Sequence, residues 1–175
     1  MKIISLLVSI LISTLSGFSQ EKEITNFRIL KEGIRNNVQS KVDSGRYDLA
    51  LSLVLQFKDS LLSHNDTLSN EFMWCLGRES EYYYELGSLE AVVPVLLRAN
   101  SILRRLYTKE SQDYILVCGY LANTYMDLGR YLEAETLFRE ALALQEKLTG
   151  KNHFFYISCL ASLGRIKSLK AEFKE

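Results

Sequence analysis

The sequence predicts an all-α protein built from pairs of antiparallel helices that stack on one another. Three observations support this prediction. One proline and nine glycines in 175 residues are too few for a β-sandwich, which needs a turn about every 8–12 residues. Apolar residues recur at helical spacing, and the same pattern returns at a fixed interval along the chain. A composition of 47% hydrophobic and 24% charged residues is that of a folded globular chain.

The 42-residue repeat is centred on glycines. Gly45, Gly87 and Gly129 are evenly spaced, and one further step of the same length reaches Ala171. Aligning the chain on these positions places in register the segments "GRYDLALSLVLQF", "GSLEAVVPVLLRA" and "GRYLEAETLFREA", with "AEFKE" as the start of a fourth copy. The second and third copies also match at Tyr83 and Tyr125, Leu86 and Leu128, Leu96 and Phe138, and Ala99 and Ala141. This many matched positions indicate a repeat architecture.

The clearest copy, residues 114–148, predicts two helices joined at a glycine. Gly129 falls where the first helix must end in a left-handed residue, which glycine adopts without steric cost. Ala122 and Ala134 are small where the two helices cross. Because one helix pair cannot bury its apolar faces alone, the copies must stack. The apolar stripes on the two sides of the glycine are Leu121, Ala122 and Tyr125, then Tyr131, Ala134, Leu137, Phe138 and Ala141.

The predicted helices follow the copies in order. In the first copy, Gly45 separates two helices, but Asn37 and Lys41 stand where the third copy has Leu121 and Tyr125. We therefore expect an atypical end repeat there. The helices are predicted at about residues 24–43, 46–62, 70–86, 89–107, 112–128 and 131–148, with a seventh from about 153.

The second copy departs most from the pattern, in the run "ESEYYYELGSLEAVVP" of residues 79–94. Tyr83 is predicted to pack as Tyr125 does, with Tyr82 and Tyr84 on either side of the buried stripe. Pro94 is expected near the start of the second helix, where little backbone hydrogen bonding is lost. Two further departures from the third copy are Glu79 for Leu121 and Val92 for Ala134.

Residues 121–142, "LANTYMDLGRYLEAETLFREAL", carry a pattern of large and small positions that resembles the tetratricopeptide repeat. The usual unit of that family is about 34 residues. The longer unit here, with "EKLTGKNH" between copies, resembles the kinesin-light-chain type, although Phe154 stands where that type commonly has proline. The resemblance implies a right-handed superhelical solenoid whose first helices line a concave groove. The family uses such grooves to hold peptide segments or helices of other proteins.

The first residues, "MKIISLLVSILISTLSGFSQEKE", have the three-part pattern of a secretory signal peptide. One lysine precedes an apolar run from Ile3 to Leu15, and Gly17 and Ser19 are spaced as small residues before a cleavage point. The alternative is a membrane anchor, but thirteen helical residues rise only about 20 Å against a hydrocarbon core of about 30 Å. We expect residues 1–19 to be removed, cleavage falling after Ser19 or Gln20, and the protein to be secreted or periplasmic with no membrane span. The repeat domain is then residues 24–175, with copies at about 24–62, 70–107 and 112–149 and a partial copy at 153–175.

The residues that carry reactive groups form no catalytic or metal-binding pattern. The 21 basic and 21 acidic residues cancel, which argues against a nucleic-acid partner. His64 and His153 fall in connecting segments and are predicted to cap helices or serve loops; His153 and Cys159 lie too far apart around a helix to form a dyad. Cys75 and Cys118 fall, like Cys159, on first helices, where free thiols act as small hydrophobes. We therefore expect no enzyme activity, no cofactor and no metal.

The predicted function is a non-enzymatic, exported scaffold that binds a protein or peptide partner in the groove. Arginine, tryptophan and tyrosine are the residue types that dominate interface energetics. Gly119 and Tyr120 replace the paired asparagines of peptide-gripping copies, so a carboxylate-gripping mode is not transferred. The groove positions of the resembled family fall on Trp74, Arg78, Glu81, Tyr120, Asn123 and Arg165, and in the first copy on Arg35 and Gln39.

Two alternatives concern the last helix, which the sequence predicts to leave Ile166, Leu169 and Phe173 uncovered. The chain could be the amino-terminal sensor or docking part of a longer protein whose protease-like or signalling domain lies beyond residue 175. The uncovered helix could instead pack on a second molecule, which would make the protein self-associate.

Overall fold

The computed structural model describes residues 29–106, 111–151 and 153–172, and these form helices without a β-strand. The chain divides into two compact units, residues 1–46 and 47–175. The first unit contains helix α1, residues 29–43. The second contains α2 (Tyr47–Ser63), α3 (Asn70–Glu85), α4 (Leu89–Leu106), α5 (Gln112–Asp127), α6 (Tyr131–Thr149) and α7 (Phe154–Glu172). The all-α prediction is confirmed, and the predicted signal peptide lies outside the described residues.

The six helices of the second unit begin within one residue of their predicted starts, because the sequence marks both of their ends. Gly87 and Gly129 have φ angles of 72° and 74°, in the left-handed region that glycine adopts most readily. At the end of α5 the N–H groups of Gly129 and Arg130 donate to the carbonyls of Met126 and Tyr125, at 3.0 and 2.8 Å. This pair of hydrogen bonds is a Schellman motif. The same two bonds close α1 at Gly45 and α3 at Gly87.

The first helices of successive pairs also begin alike. The Ser69 hydroxyl accepts the N–H of Phe72 at 3.1 Å, and the Ser111 hydroxyl accepts the N–H of Tyr114 at 3.2 Å. The equivalent position of the next copy is His153, whose Nδ1 accepts the N–H of Phe155 at 3.2 Å. His153 therefore caps α7, as the sequence predicted for a histidine in a connecting segment.

Consecutive helices from α2 to α7 pack against one another, and α5 also contacts α7. The main core lies among α4, α5, α6 and α7. Ala122 and Ala134 are fully buried, which agrees with the close helix crossing predicted from their small size. The three cysteines are buried, and burial raises the pKa of the Cys118 and Cys159 thiols to about 11. Such thiols stay protonated and pack as small apolar groups.

Two predicted side-chain positions are wrong. Tyr82 does not merely flank a buried stripe: only 1% of it is exposed, and its ring centroid lies 6.0 Å from that of Tyr47 on α2. Ile166 is not uncovered, since it is 1% exposed and belongs to the core. In both cases the side chain is buried by a neighbouring helix, and the position of the residue within its own helix does not predict that contact. Leu169 is half-buried, and Phe173 lies outside the described residues.

Pro94 lies near the start of its helix, as predicted. It is the sixth residue of α4, beyond the first turn, where a proline removes one hydrogen bond to the carbonyl four residues earlier. Its side chain is exposed, so α4 continues past it without a packing conflict on the buried face.

Glu79 makes a buried ion pair that the sequence did not predict. It stands where the next copy has Leu121, and only 4% of it is exposed. Lys58 of α2 donates to its carboxylate at 2.5 Å, and the Lys58 side chain is itself only 13% exposed. The lysine thus neutralises the one charged residue on an otherwise apolar face of α3.

Candidate binding groove

A cavity of about 540 Å³ lies between α3 and α5. α4 forms its floor, and Arg165 of α7 reaches its edge. The volume falls within the range of about 300–1,000 Å³ that is usual for ligand pockets. Its apolar lining consists of Met73, Val92, Leu96, Ala99, Val117 and Met126, and its charged lining of Arg78, Glu81, Glu85, Asp127 and Arg165. An apolar floor beneath a charged rim suits a partner that inserts a side chain and leaves its polar groups at the surface.

The structure brings most of the predicted groove residues to this cavity. Its lining includes Arg78, Glu81, Tyr120, Asn123 and Arg165. Tyr120 is 61% exposed, and Asn123 is exposed beside it, so both side chains are accessible to a partner.

The other predicted groove residues lie elsewhere. Trp74 does not line the cavity, because its ring packs edge-on to Phe57 of α2, with the ring centroids 6.4 Å apart. Arg35 and Gln39 lie on α1 in the first unit. The role of all these residues in binding stays a prediction.

A polar contact joins three helices at one end of the cavity. The Tyr84 hydroxyl of α3 donates to Asp127 of α5 at 2.7 Å, and a guanidinium nitrogen of Arg165 on α7 lies 3.9 Å from the other carboxylate oxygen. The hydrogen bond to Asp127, together with partial burial, raises the pKa of Tyr84. Because these side chains are largely solvated, the contact adds little stability and leaves the groups available to a partner.

Arg78 lies in the middle of the α3 side of the cavity. One of its terminal nitrogens pairs with Glu81 at 2.7 Å, and both side chains are about two-fifths exposed. Its Nε is buried and has no acceptor among the described residues. The guanidinium also lies beside the buried Tyr82 phenol; burial raises the pKa of Tyr82, and Arg78 partly opposes this shift. An unsatisfied buried N–H is rare in folded proteins and often marks a functional position.

The described residues contain no group of three or more His, Cys, Asp or Glu side chains placed to hold a metal ion. The two histidines lie at helix ends, away from the cavity: His153 caps α7, and His64 Nδ1 lies 2.8 Å from the Ser60 carbonyl at the end of α2. Within the ranges given above, no helix is long and apolar enough to cross a membrane.

Residues 115–175 match the family model of the tetratricopeptide repeat. Over these residues, about a third of the chain, the sequence is similar to the tetratricopeptide repeat. No curated protein sequence matches it. Tetratricopeptide repeats suggest a scaffold for protein–protein interaction, and their fold is typically non-catalytic.

Solved structures with the same fold share little sequence with this chain. The nearly identical TPR-like repeats of a kinesin light chain protein from Podosopora anserina align with a TM-score of 0.69 and 16% identity, over 82% of this chain and 68% of that one. A point variant of those repeats aligns with a TM-score of 0.68 and 18% identity, over 77% of this chain and 64% of that one. BtubC (BKLC) from P. vanneervenii aligns with a TM-score of 0.66 and 18% identity, over 79% of this chain and 55% of that one. The chain thus spans about two thirds or less of these proteins, and the likeness shows the fold alone.

The 42-residue register of the helices explains why the predicted residues meet. Glu81, Asn123 and Arg165 are separated by one repeat period each, so they project from equivalent positions of α3, α5 and α7. The prediction missed Glu85 and Asp127, which also line the cavity. Asp127 lies one repeat period after Glu85, so the same register could have predicted that the two residues share a position on α3 and α5. Gly77 was also missed, because a residue without a side chain gives no chemical signal in the sequence.

Proposed function

We propose that the protein is a non-enzymatic scaffold that is exported and that binds a protein or peptide partner in the groove between α3 and α5. The cavity of about 540 Å³ with an apolar floor and an arginine- and tyrosine-bearing rim carries this proposal. Arginine and tyrosine contribute more to interface energy than other exposed residues do. Tyr120 and Arg78 offer these groups from facing helices.

The groove is tested with a library of random peptides displayed on phage and selected on the immobilised protein. Peptides that bind the groove should lose binding to the double variant Arg78→Ala, Tyr120→Ala, while its circular dichroism spectrum stays unchanged. A matched control is Arg139→Ala with Leu132→Ala, which removes another arginine that is ion-paired within its own helix and another exposed apolar residue, both outside the cavity. Equal binding to both double variants would show that the groove assignment is wrong.

Export is supported by the three-part pattern of residues 1–20. The buried cysteines are compatible with an oxidising compartment, because burial keeps them out of reach and raises the pKa of the Cys118 and Cys159 thiols. Amino-terminal sequencing of the protein expressed in a secreting host should give a mature end at Gln20 or Glu21. A chain that keeps Met1 in every fraction would contradict the proposal.

We also propose that the protein self-associates through α7, and one observation favours this. Phe154, Ile157 and Leu160 are 82%, 57% and 48% exposed along one side of the helix, while Cys159 and Ile166 are buried on the other. A helix that is apolar on both sides is usually covered on both sides. Light scattering should give a dimer or larger species, and replacing the three exposed residues by serine should give a monomer. A wild-type monomer at high concentration would contradict the proposal.

A further inference from the structure

Two glycines occupy equivalent positions in the middle of successive first helices. Gly77 of α3 and Gly119 of α5 are one repeat period apart. Each costs its helix about 1 kcal/mol relative to alanine. Neither has a positive φ angle, so backbone conformation does not require glycine at these positions. The reason must be the space that the missing side chain leaves.

At Gly119 the occupant of that space is visible. A Cβ atom at this position would lie 2.5 Å from Cζ and 2.8 Å from Cε2 of Phe155. These distances are too short for any real contact, so the glycine forms a notch in α5 that receives the aromatic ring of α7. Phe155 is half-buried and also packs against the main core.

At Gly77 the same notch is open. No atom of the described residues lies within 4 Å of a Cβ built there, and the glycine is exposed and lines the cavity. The residue of α5 that matches Phe155 in the 42-residue register is Asp113, a short and exposed side chain. The second repeat therefore has the notch without the ring.

We propose that the Gly77 notch receives an aromatic side chain of the partner, placed as Phe155 is placed at Gly119. The inference rests on the proposed function and specifies the partner's chemistry. The surrounding cavity suits a ring, because Met73 and Met126 offer polarisable sulfur atoms and Val92 and Leu96 form an apolar floor. An aromatic ring buries more apolar area in such a space than an aliphatic side chain does.

The charges at the rim select the residue next to the ring. Three carboxylates, Glu81, Glu85 and Asp127, face two guanidinium groups, Arg78 and Arg165, so the rim carries one excess negative charge. The ion pairs at the rim use Glu81 and Asp127, and Glu85 makes none within the described part of the chain. A lysine or arginine beside the aromatic residue complements this charge, and an acidic neighbour opposes it.

The probes are acetylated dipeptide amides, titrated into the purified protein while backbone amide resonances are followed by NMR. Acetyl-Phe-Lys-amide should bind in the millimolar range and shift the resonances of Gly77 and Asn123. Acetyl-Ala-Lys-amide should bind about tenfold more weakly or worse, because the ring supplies most of the buried apolar area. Acetyl-Phe-Glu-amide should be weaker by about threefold at low salt, and this difference should shrink as salt is added.

The matched variants are Gly77→Leu and Gly164→Leu. Both glycines lie within helices, and both have open space around a built Cβ, but only Gly77 lines the cavity. Both variants should fold, with unchanged circular dichroism. Gly77→Leu should abolish the shifts caused by acetyl-Phe-Lys-amide, and Gly164→Leu should leave them intact.

Three outcomes overturn the inference. The phenylalanine and alanine probes could bind equally, neither probe could bind, or Gly77→Leu could bind acetyl-Phe-Lys-amide as well as the wild type does. None of these outcomes bears on the proposed function, which is tested by the loss of peptide binding in the Arg78→Ala, Tyr120→Ala variant. Groove-binding peptides without aromatic residues would support the scaffold and refute the aromatic notch.

Discussion

The α3–α4 and α5–α6 helix pairs share their backbone geometry and differ in what their equivalent side chains contact. Both begin at a serine cap and turn at a left-handed glycine. In the α5–α6 pair, Leu121 is buried in the core and Phe155 fills the notch at Gly119. In the α3–α4 pair, the position of Leu121 holds Glu79, and the notch at Gly77 is open.

This difference shows that the backbone geometry of a repeat protein and its side-chain packing are determined separately. The hydrogen bonds of caps and turns recur with the sequence period because they involve neighbours in the chain. Side-chain packing does not recur, because it depends on the helix that lies opposite. Both pairs contribute to the core and to the groove, which lies between α3 and α5, but their equivalent side chains make different contacts there.

The largest effect is expected at the Glu79 position, where the two pairs differ in charge. Lys58→Ala should destabilise the protein by about 3–5 kcal/mol, because it leaves a buried carboxylate without its partner. Chemical denaturation measures this loss. The double variant Lys58→Met, Glu79→Leu makes α3 resemble α5 and should recover the wild-type stability or exceed it. A small effect of Lys58→Ala would show that the pair is solvated.

The second comparison places one substitution in both notches. Gly119→Leu should cost about 1–3 kcal/mol, because the new side chain displaces the Phe155 ring from the core. Gly77→Leu should be neutral or raise the melting temperature, since leucine is the better helix former and meets open space. Equal effects of the two substitutions on thermal unfolding would refute the difference between the notches.

The helix caps should respond alike in the two pairs. Ser69→Ala and Ser111→Ala should each cost about 1 kcal/mol, since each leaves one backbone N–H at a helix start without its acceptor. His153→Ala should cost a similar amount, and His153→Ser should restore the loss. The free energy of unfolding of the four variants checks this. A cost at only one of the serines would mean that the two starts are not equivalent.

The smallest expected effect is on the pH dependence of stability. Hydrogen bonds from Lys170 and then Arg139 lower the pKa of Glu135 from 4.5 to about 2. Because the folded-state pKa is lowered, this contribution to stability is complete above about pH 4.5 and is lost as the pH falls through about 2. The wild type should therefore melt slightly above Glu135→Gln at neutral pH, and the difference should vanish near pH 2. The equivalent residue of α4 is the buried Val93, so Val93→Ala should show no such pH dependence.

The sequence predicted those features that depend on neighbours along the chain. Helix starts and glycine turns follow from local hydrogen bonding, and the equivalent positions of Glu81, Asn123 and Arg165 follow from the register. Features that depend on the opposite helix were missed. Trp74 lies on the same helix as Arg78 and Glu81 but packs against Phe57 of α2. No pattern within α3 predicts that contact.

The errors at Tyr82 and Ile166 have the same origin. The position of a residue on a helix specifies the direction of its side chain, but the side chain is buried only if another part of the protein lies in that direction. For Tyr82 it is Tyr47, and for Ile166 it is the core shared with α5 and α6. The Lys58–Glu79 pair lies 21 residues apart in sequence and on different helices, so no helical spacing rule finds it.

The repetition of caps and turns bears on how such a chain can grow. The units that begin at Ser69 and Ser111 each contain their own starting and stopping signals, a serine cap and a glycine turn. A tandem duplication of residues 111–152 would therefore add a helix pair without a new kind of junction. The inserted first helix would present Asp113, not Phe155, to the original Gly119. A single duplication event would thus lengthen the stack and leave a second glycine notch open beside the first.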